Sequence, residues 1–193
     1  MRLPTKLVSV ILAGSAALVP AVLSSSAQAH DASTPAALVA LVDVTARRVE
    51  IGDTVAAAKW GTTQPIEDPA REKTVLDNAA AQAPTYGMGP SPVVRVFSDQ
   101  IAANKVVQYG LFSRWTAHPG QAPTERPDLT VVRPVLDAIT GQLLTQLQST
   151  EGLRTSDRCH RQLAVAQEQV ARSHDFDELH KEALARAGTS LCG

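Results

Sequence analysis

The spacing of apolar residues along this chain predicts an all-α protein. Apolar residues recur three and four positions apart in successive segments, for example at Leu38, Leu41 and Val44 and later at Leu143 and Leu147, which is the period of an amphipathic helix. No stretch of useful length alternates apolar and polar residues as a half-buried strand does, and no segment is repeated. Aromatic residues make up only 4% of the chain, which also favours helices over a β-sandwich or barrel. The prediction is a single-domain bundle of about six helices.

Capping residues and helix breakers set the expected boundaries. A helix is expected to begin where Thr, Asp or Ser precedes proline, because the side chain accepts from the first N–H groups and proline fits the first turn. Thr34, Asp68 and Ser91 occupy such positions. Asp175, with Glu178 three residues later, resembles a capping box at the start of the last helix. With Gly- and Pro-rich segments as stops, the predicted helices span residues 35–60, 68–82, 91–115, 135–152, 156–173 and 175 onward.

The first 29 residues have the order of features typical of a secretory signal peptide. Arg2 and Lys6 precede an apolar run over residues 7–23, and the small residues of Ala27-Gln28-Ala29 close it. We expect cleavage after Ala29, which leaves a mature domain of residues 30–193 that is secreted or periplasmic. An uncleaved membrane anchor is the alternative, and the shortness of the run disfavours it. No later segment is long and apolar enough to span a bilayer, so we expect no membrane partner after cleavage.

The charge balance argues against nucleic acid or an anionic membrane surface as a partner. The chain carries 18 Lys and Arg residues against 19 Asp and Glu residues, a net charge of −1, and loss of the leader would remove two bases and no acid. A mature domain with a slight excess of acid lacks the positive surface that such partners require.

The two cysteines, Cys159 and Cys192, are expected to form a disulfide, because a lone pair of cysteines in an exported protein is usually oxidised. The bridge would constrain the unfolded chain by about 3–4 kcal/mol in the entropic description. A zinc site that adds His160 is the alternative, but it lacks a second paired ligand motif. Two further metal hypotheses, a pair of His174 and His180 and a copper site at the expected new N-terminus, are rejected for want of matching spacing and fold.

Two cations lie on one face of the first predicted helix. Arg48 and Lys59 are eleven residues apart, and positions eleven apart in a helix differ by only about 20° in direction. Gly52 and Val55 lie between them on the same stripe, so the two side chains are expected to flank a small hollow and converge on one anion. The alternative is that both extend to solvent from a broad face, with Arg47 as an equally good solvent-facing neighbour.

Polar residues interrupt two other predicted helices. Asn104 and Gln108 lie four apart on the apolar stripe of the third helix, where an unpartnered amide costs roughly 1–3 kcal/mol. They either bond to each other and to neighbouring helices or face a ligand. Asp68, Arg71 and Glu72 open the second helix, either as a cap with ordinary surface charges or as contributors to the same hollow. Together these residues indicate a pocket between helices that suits a small dianion with a hydroxyl group.

The stretches that contain these residues resemble the exported AroQ-type chorismate mutases, which are all-helical. The matching segments are LVDVTARRVEIGDTVAAAKW, QPIEDPARE, VVRVFSDQIAANKVVQYGLFSRW and RPDLTVVRPVLD, together with the late cysteine pair. The resemblance covers nearly all of the expected mature chain. It implies an active site between helices and a single substrate, chorismate, which rearranges to prephenate without a metal, a redox cofactor or an enzyme nucleophile.

The resemblance also implies a role for each polar residue. Arg48, Arg71 and Arg133 would bind carboxylates, and Lys59 and Gln108 would contact the ether oxygen of the breaking bond. Glu72 would accept the ring hydroxyl, and Asn104 occupies a position where relatives often carry a small hydroxyl residue. Because Pro134 disfavours helical geometry at the residue before it, we expect Arg133 at the entry to the fourth helix.

Two other functions remain compatible with the sequence. An isochorismate pyruvate lyase on the same fold would use nearly the same cations, and a non-catalytic exported helical module would bind a small anion or a protein without turnover. The resemblance suggests a homodimer.

Overall fold

Helices account for the regular structure of residues 35–193, the part of the chain that a computed structural model describes. The expected all-α class is confirmed for these residues. Thr34, the signal peptide, its cleavage site and the expected new N-terminus at His30 lie outside them. The helices are α1 (Ala36–Lys59), α2 (Pro69–Gln82), α3 (Pro90–Ala117), α4 (Leu129–Ser149), α5 (Glu151–Arg154), α6 (Cys159–Ser173) and α7 (Glu178–Ala187), with 3₁₀ turns at Ala83–Tyr86 and Pro119–Gln121.

The core is built around α1, which packs against α3, α4, α6 and α7. Its apolar stripe, which includes Leu38 and Leu41, is fully buried, and Phe97 of α3 is buried with it. Burial of each such side chain contributes about 1.5–3 kcal/mol. Gly52 allows α1 and α3 to approach closely, since an added Cβ would lie 2.9 Å from the side chain of Val107. Gly52 therefore serves helix packing and does not line the cavity, whereas Val55 on the same stripe does.

The predicted boundaries of the first three helices are close to the observed ones. Pro35 occupies the N-cap position of α1 and does not begin the helix. Asp68 caps α2 as predicted, because its carboxylate accepts from the backbone N–H of Arg71. The third helix starts earlier than expected, at Pro90 after Gly89, so Ser91 lies inside the first turn and is not the cap.

The fourth helix differs more from the prediction. It begins at Leu129, where the Asp128 side chain accepts from the backbone N–H of Thr130, and it continues through Pro134. Proline at this position cannot donate to the carbonyl of Thr130, but Thr130 is exposed and water can reach it. The helix ends at Ser149, and α5 is a separate turn.

The last two helices also begin later than the sequence predicted. The fifth predicted helix corresponds to α6, which starts at Cys159 and not at Ser156. Asp177 caps α7 by accepting from the backbone N–H of His180, so the prediction that Asp175 is the cap is wrong. Asp175 lies in the turn between the helices with a φ of 52°, a left-handed geometry that short polar residues tolerate.

The predicted disulfide between Cys159 and Cys192 is present and ties the start of α6 to the C-terminus. Arg154 adds to this attachment, because its buried guanidinium donates to the carbonyls of Leu147 and Leu191. The backbone N–H of Gly193 in turn donates to the carbonyl of Arg154. Within residues 35–193, no helix combines the length and the apolar character that are needed to cross a bilayer.

Candidate active site

A cavity of about 690 Å³ lies between α1, α2, α3 and α4 and the loop that joins α1 to α2. The structure brings to this one space all the residues to which the family resemblance gave a role. The seven residues are Arg48, Lys59, Arg71, Glu72, Asn104, Gln108 and Arg133. Because they come from four separate helices, the tertiary structure and not their order in the chain places them together.

Arg48 of α1 is a half-buried cation that its surroundings hold in place. Its Nη1 donates to the hydroxyl of Thr140 at 3.0 Å and to the carbonyl of Leu136 at 3.4 Å, and its guanidinium lies 5.4 Å from the centre of the Phe97 ring. Burial lowers the pKa of Arg48 to about 10, and the charge of Asp137 opposes that shift. The guanidinium therefore stays charged at neutral pH.

Arg47 points away from the cavity. Its Nε pairs with Asp43 at 3.3 Å, and more than a third of its side chain is exposed. Of the two adjacent arginines, Arg48 therefore belongs to the cavity and Arg47 faces solvent.

Lys59, the last residue of α1, is oriented by the loop that follows it. Its ammonium donates to the carbonyl of Pro65 at 2.9 Å and to that of Ile66 at 3.2 Å. Burial lowers the pKa of Lys59, while the carboxylates of Asp68, Glu72 and Glu67 act in the opposite direction and favour the charged form. An ammonium has three N–H donors, so two bonds to carbonyls leave one proton for a ligand in the cavity.

The two amides on α3 bond to each other and also line the cavity, so the two interpretations of the sequence do not exclude one another. Gln108 Nε2 donates to Asn104 Oδ1 at 2.7 Å, and both side chains also line the cavity. Gln108 is buried, and its Oε1 has no hydrogen-bond partner among the described residues. A primary amide has two N–H donors, so Gln108 keeps one after bonding to Asn104.

Arg71 and Glu72 contribute from the first turn of α2. Arg71 is exposed and lies at the rim of the cavity, whereas Glu72 is half-buried. Both carboxylate oxygens of Glu72 lie 3.2 Å from the ammonium of Lys105, which holds the carboxylate beside the cavity.

Arg133 lies in the second turn of α4, so the expectation that it marks the entry to that helix is wrong. The helix starts four residues earlier because Asp128 caps it, and Arg133 keeps helical geometry despite the following proline. Its exposed side chain lies at the rim of the cavity on the α4 side.

Lys105 lines the cavity and was missed by the sequence analysis. It follows Asn104 directly, but a single lysine beside an apolar stripe is more typical of a solvated surface residue. Thr140, which accepts a bond from Arg48, was also missed because a threonine in a helix carries no distinctive signal. A search for polar residues one position from the Asn104 and Gln108 stripe would have included Lys105.

The histidines that were considered as metal ligands each lie between two carboxylates. His174 contacts Glu50 and Asp43, and His180 contacts Asp53 and Asp177. Within residues 35–193, no group of three His, Cys, Asp or Glu side chains is placed to hold a metal ion.

The fold and the cavity define a helical-bundle protein with a cavity between helices that is lined by cations and oriented N–H donors, a lining that suits a small anion. Comparison with known proteins gives the family. Residues 39–109 match the family model of type II chorismate mutases. The secreted chorismate mutase of Mycobacterium tuberculosis is 38% identical over 155 residues, which are 80% of this chain and 78% of that protein. The secreted chorismate mutase of Mycolicibacterium smegmatis is 33% identical over 86% of this chain and 90% of that protein.

A solved structure agrees with these relatives. The chorismate mutase of Burkholderia phymatum superposes with a TM-score of 0.78 at 42% identity, covering 81% of this chain and 96% of that one. The chain therefore belongs to the type II chorismate mutase family, and the resemblance noted in the sequence is confirmed.

Proposed function

We propose that this chain is an exported chorismate mutase that rearranges chorismate to prephenate in the cavity between α1, α2, α3 and α4. The observation that carries the proposal is the convergence on one cavity of three arginines with Lys59 and the amides of Asn104 and Gln108, which are the groups that the proposed mechanism uses. The volume of about 690 Å³ lies within the range of small-molecule sites.

Three arginines would bind the two carboxylates of the substrate. Arg48 is held by Thr140, Leu136 and Phe97, so little of its side-chain entropy remains to be lost on binding. Arg71 and Arg133 line the cavity from α2 and α4 and are exposed. A planar guanidinium can grip a carboxylate with two parallel bonds, which fixes orientation as well as position. Binding both carboxylates would hold the flexible substrate in its compact reactive conformer and reduce the entropic part of the barrier.

The bond changes occur within the substrate. The ether C–O bond breaks while a new C–C bond forms, and no atom is exchanged with the enzyme. Negative charge grows on the ether oxygen as its bond to carbon lengthens, so donors aimed at that oxygen lower the barrier. Lys59 and Gln108 would be those donors, since each retains one N–H after its bonds within the protein.

Glu72 and Asn104 would complete the site. A carboxylate has more acceptor positions than the contacts with Lys105 use, so Glu72 can still accept a bond from the ring hydroxyl. Asn104 accepts from Gln108 and would thereby orient the amide that is proposed to donate to the ether oxygen.

The N-terminal leader and the names of two relatives support a proposal about export. The relatives from Mycobacterium tuberculosis and Mycolicibacterium smegmatis are both named secreted, which supports export of this chain through the N-terminal signal with cleavage after Ala29. A homodimer is the assembly that the family resemblance suggests.

The deciding experiment incubates residues 30–193 with chorismate and, separately, with isochorismate, and identifies the products by NMR. We expect prephenate from chorismate without added metal or cofactor. Release of pyruvate from isochorismate as the main activity would identify a lyase, and binding without turnover would identify a non-catalytic module.

The variant Lys59→Ala tests the catalytic role of Lys59 in the same assay. We expect the rate constant to fall at least about a hundredfold, corresponding to about 2.7 kcal/mol of transition-state stabilisation. Helix content should barely change, because alanine suits a helix terminus and adds no bulk. A variant with near-normal turnover would remove Lys59 from the catalytic residues.

A further inference from the structure

The loop between α1 and α2, residues 60–68, supplies the two carbonyls that orient Lys59. Most of its side chains are exposed, including those of Gln64, Pro65 and Glu67, so burial in the core does not fix its conformation. Ile66 is half-buried against the cavity. Polar contacts must therefore provide much of the restraint on the carbonyls at Pro65 and Ile66.

Two residues of α3 hold this loop through Glu67. The ammonium of Lys105 lies 2.7 Å from Glu67 Oε2, and the hydroxyl of Tyr109 donates to Glu67 Oε1 at 2.9 Å. Lys105 and Tyr109 are one helical turn apart, so together they bind both oxygens of the Glu67 carboxylate. The bonds from Lys105 and Tyr109 lower the pKa of Glu67, which keeps the carboxylate ionised at neutral pH.

Lys105 also joins the loop to α2. The same ammonium contacts Glu72 at 3.2 Å, so one lysine connects the loop, the first turn of α2 and the middle of α3. About a quarter of the side chains of Lys105 and Glu72 is exposed, and half of that of Glu67 is exposed.

We propose that Lys105 and Tyr109 are positioning residues that act through Glu67 on the α1–α2 loop and, through its carbonyls, on the ammonium of Lys59. Glu67 follows Ile66 in the chain, so a shift of the Glu67 backbone moves the carbonyl that Lys59 uses. An ammonium on a four-carbon stem has no preferred direction of its own, and it needs these acceptors to aim its third proton. The inference rests on the proposed function, because it assigns Lys59 a donor role toward the substrate.

Glu67 offers the cleanest test, because it holds the loop but does not line the cavity. We expect Glu67→Ala to lower kcat about five- to tenfold and to leave KM within about twofold, since misplacement of a catalytic group by a fraction of an ångström reduces rate more than binding. Tyr109→Phe removes only one of the two contacts and should lower kcat about two- to threefold. Lys73→Met is the control, because it breaks an exposed lysine–carboxylate pair with Asp77 on α2 and should change neither constant.

A double-mutant cycle distinguishes positioning of Lys59 from a general structural effect. In the Lys59→Ala background, measured at high enzyme concentration, Glu67→Ala should cause no further loss of kcat, because the group that it positions is gone. The full five- to tenfold loss in that background would overturn the proposal, as would an unchanged kcat for the single Glu67→Ala variant. Glu67→Gln, which keeps the shape of the side chain, replaces Glu67→Ala in the cycle if circular dichroism shows that the alanine variant does not fold.

Lys105 is tested by a pair of substitutions with different charge. Lys105→Arg should retain most of the rate because it can still pair with Glu67, whereas Lys105→Met should lose at least as much rate as Tyr109→Phe, because it removes the other contact with Glu67 and also frees Glu72. Equal loss in both Lys105 variants, with Glu67→Ala at the wild-type rate, would mean that Lys105 contacts the substrate directly and would overturn the positioning role. Wild-type protein with no turnover would instead contradict the proposed function, so the two failures can be told apart.

Discussion

Gln108 shows at the scale of one residue how the site depends on a donor that does not titrate. Its amide is buried on α3, bonds to Asn104 and keeps one N–H for the cavity. A glutamate at this position would donate to the ether oxygen only while protonated. The identity of this residue therefore determines how the rate should depend on pH.

We expect the wild-type rate to be nearly flat from mildly acidic to mildly alkaline pH. Gln108→Glu should be active at low pH, where its carboxyl is protonated, and its rate should fall as pH rises and the carboxylate forms. Burial raises the pKa of a carboxyl group, so the fall should begin above the usual range of glutamate. Rates measured across pH for both proteins check this, and a steep fall of the wild-type rate through neutrality would contradict the role given to Gln108.

At the scale of helices, the start of α7 shows how a local signal can select the wrong residue. Asp175 and Asp177 are two positions apart, and either could cap a helix by sequence. The structure uses Asp177, whose carboxylate accepts from the backbone N–H and ring of His180 and pairs with Arg114 of α3. The contact with α3 decides where α7 begins, because a cap at Asp177 is stabilised further by the ion pair with Arg114.

A pair of substitutions tests this boundary. Asp177→Ala should lower the free energy of unfolding by about 1–2 kcal/mol, because it removes a cap and an interhelical ion pair. Asp175→Gly should leave stability unchanged or raise it slightly, since glycine adopts a φ of 52° without strain. Urea denaturation measures both, and a larger loss for Asp175→Gly than for Asp177→Ala would contradict the assignment.

At the scale of the whole molecule, two histidines connect α1 to the C-terminal helices. Bonds from Asp53 raise the pKa of His180 to about 9, with burial opposing and Asp177 adding to the effect. Burial lowers the pKa of His174, but Glu50 and Asp43 outweigh it and the pKa is raised. Phe176 lies between the two rings, 5.4 Å from each. Protonated histidines therefore hold α7 and the preceding turn against the acidic face of α1.

This arrangement predicts a loss of stability in alkaline solution. Because the pKa of His180 is higher in the folded state, its contribution is complete below about pH 6.5 and is lost as pH rises through about 9. Asp53 and Asp177 are each about half exposed, so solvent screening limits the effect to about 1–2 kcal/mol. The stability difference between wild type and His180→Gln should shrink between pH 7 and pH 10, and a constant difference would contradict the linkage.

The disulfide also stabilises the whole molecule, and it lies away from the cavity. It closes a loop between residues 33 apart, so its removal should cost about 3–4 kcal/mol in the entropic description. We expect reduction to lower the melting temperature while activity at moderate temperature persists, because neither cysteine lines the cavity. Melting curves and chorismate turnover with and without reductant test this, and loss of activity without unfolding would connect the bridge to the site.

The sequence alone determined the helical class and the disulfide partners, and with the family resemblance it predicted seven polar residues that the structure places around the cavity. Each of these features can be read from neighbouring residues or, for the disulfide, has a single possible pairing. Helical period and caps act over a few residues, two cysteines allow one pairing, and polar residues such as Asn104 and Gln108 are conspicuous on an otherwise apolar stripe.

Only the tertiary structure decided which of many ordinary polar residues support that site. Lys105 meets Glu67 across 38 residues, and Thr140 accepts from Arg48 across 92. In sequence, such a lysine or threonine is indistinguishable from a solvated one, because its environment depends on how neighbouring helices pack and rotate. The same packing places Val107 against Gly52, so this glycine does not line the cavity, and the cap at Asp128 extended α4 back past Arg133. Contacts between distant helices set these features, and no local pattern encodes them.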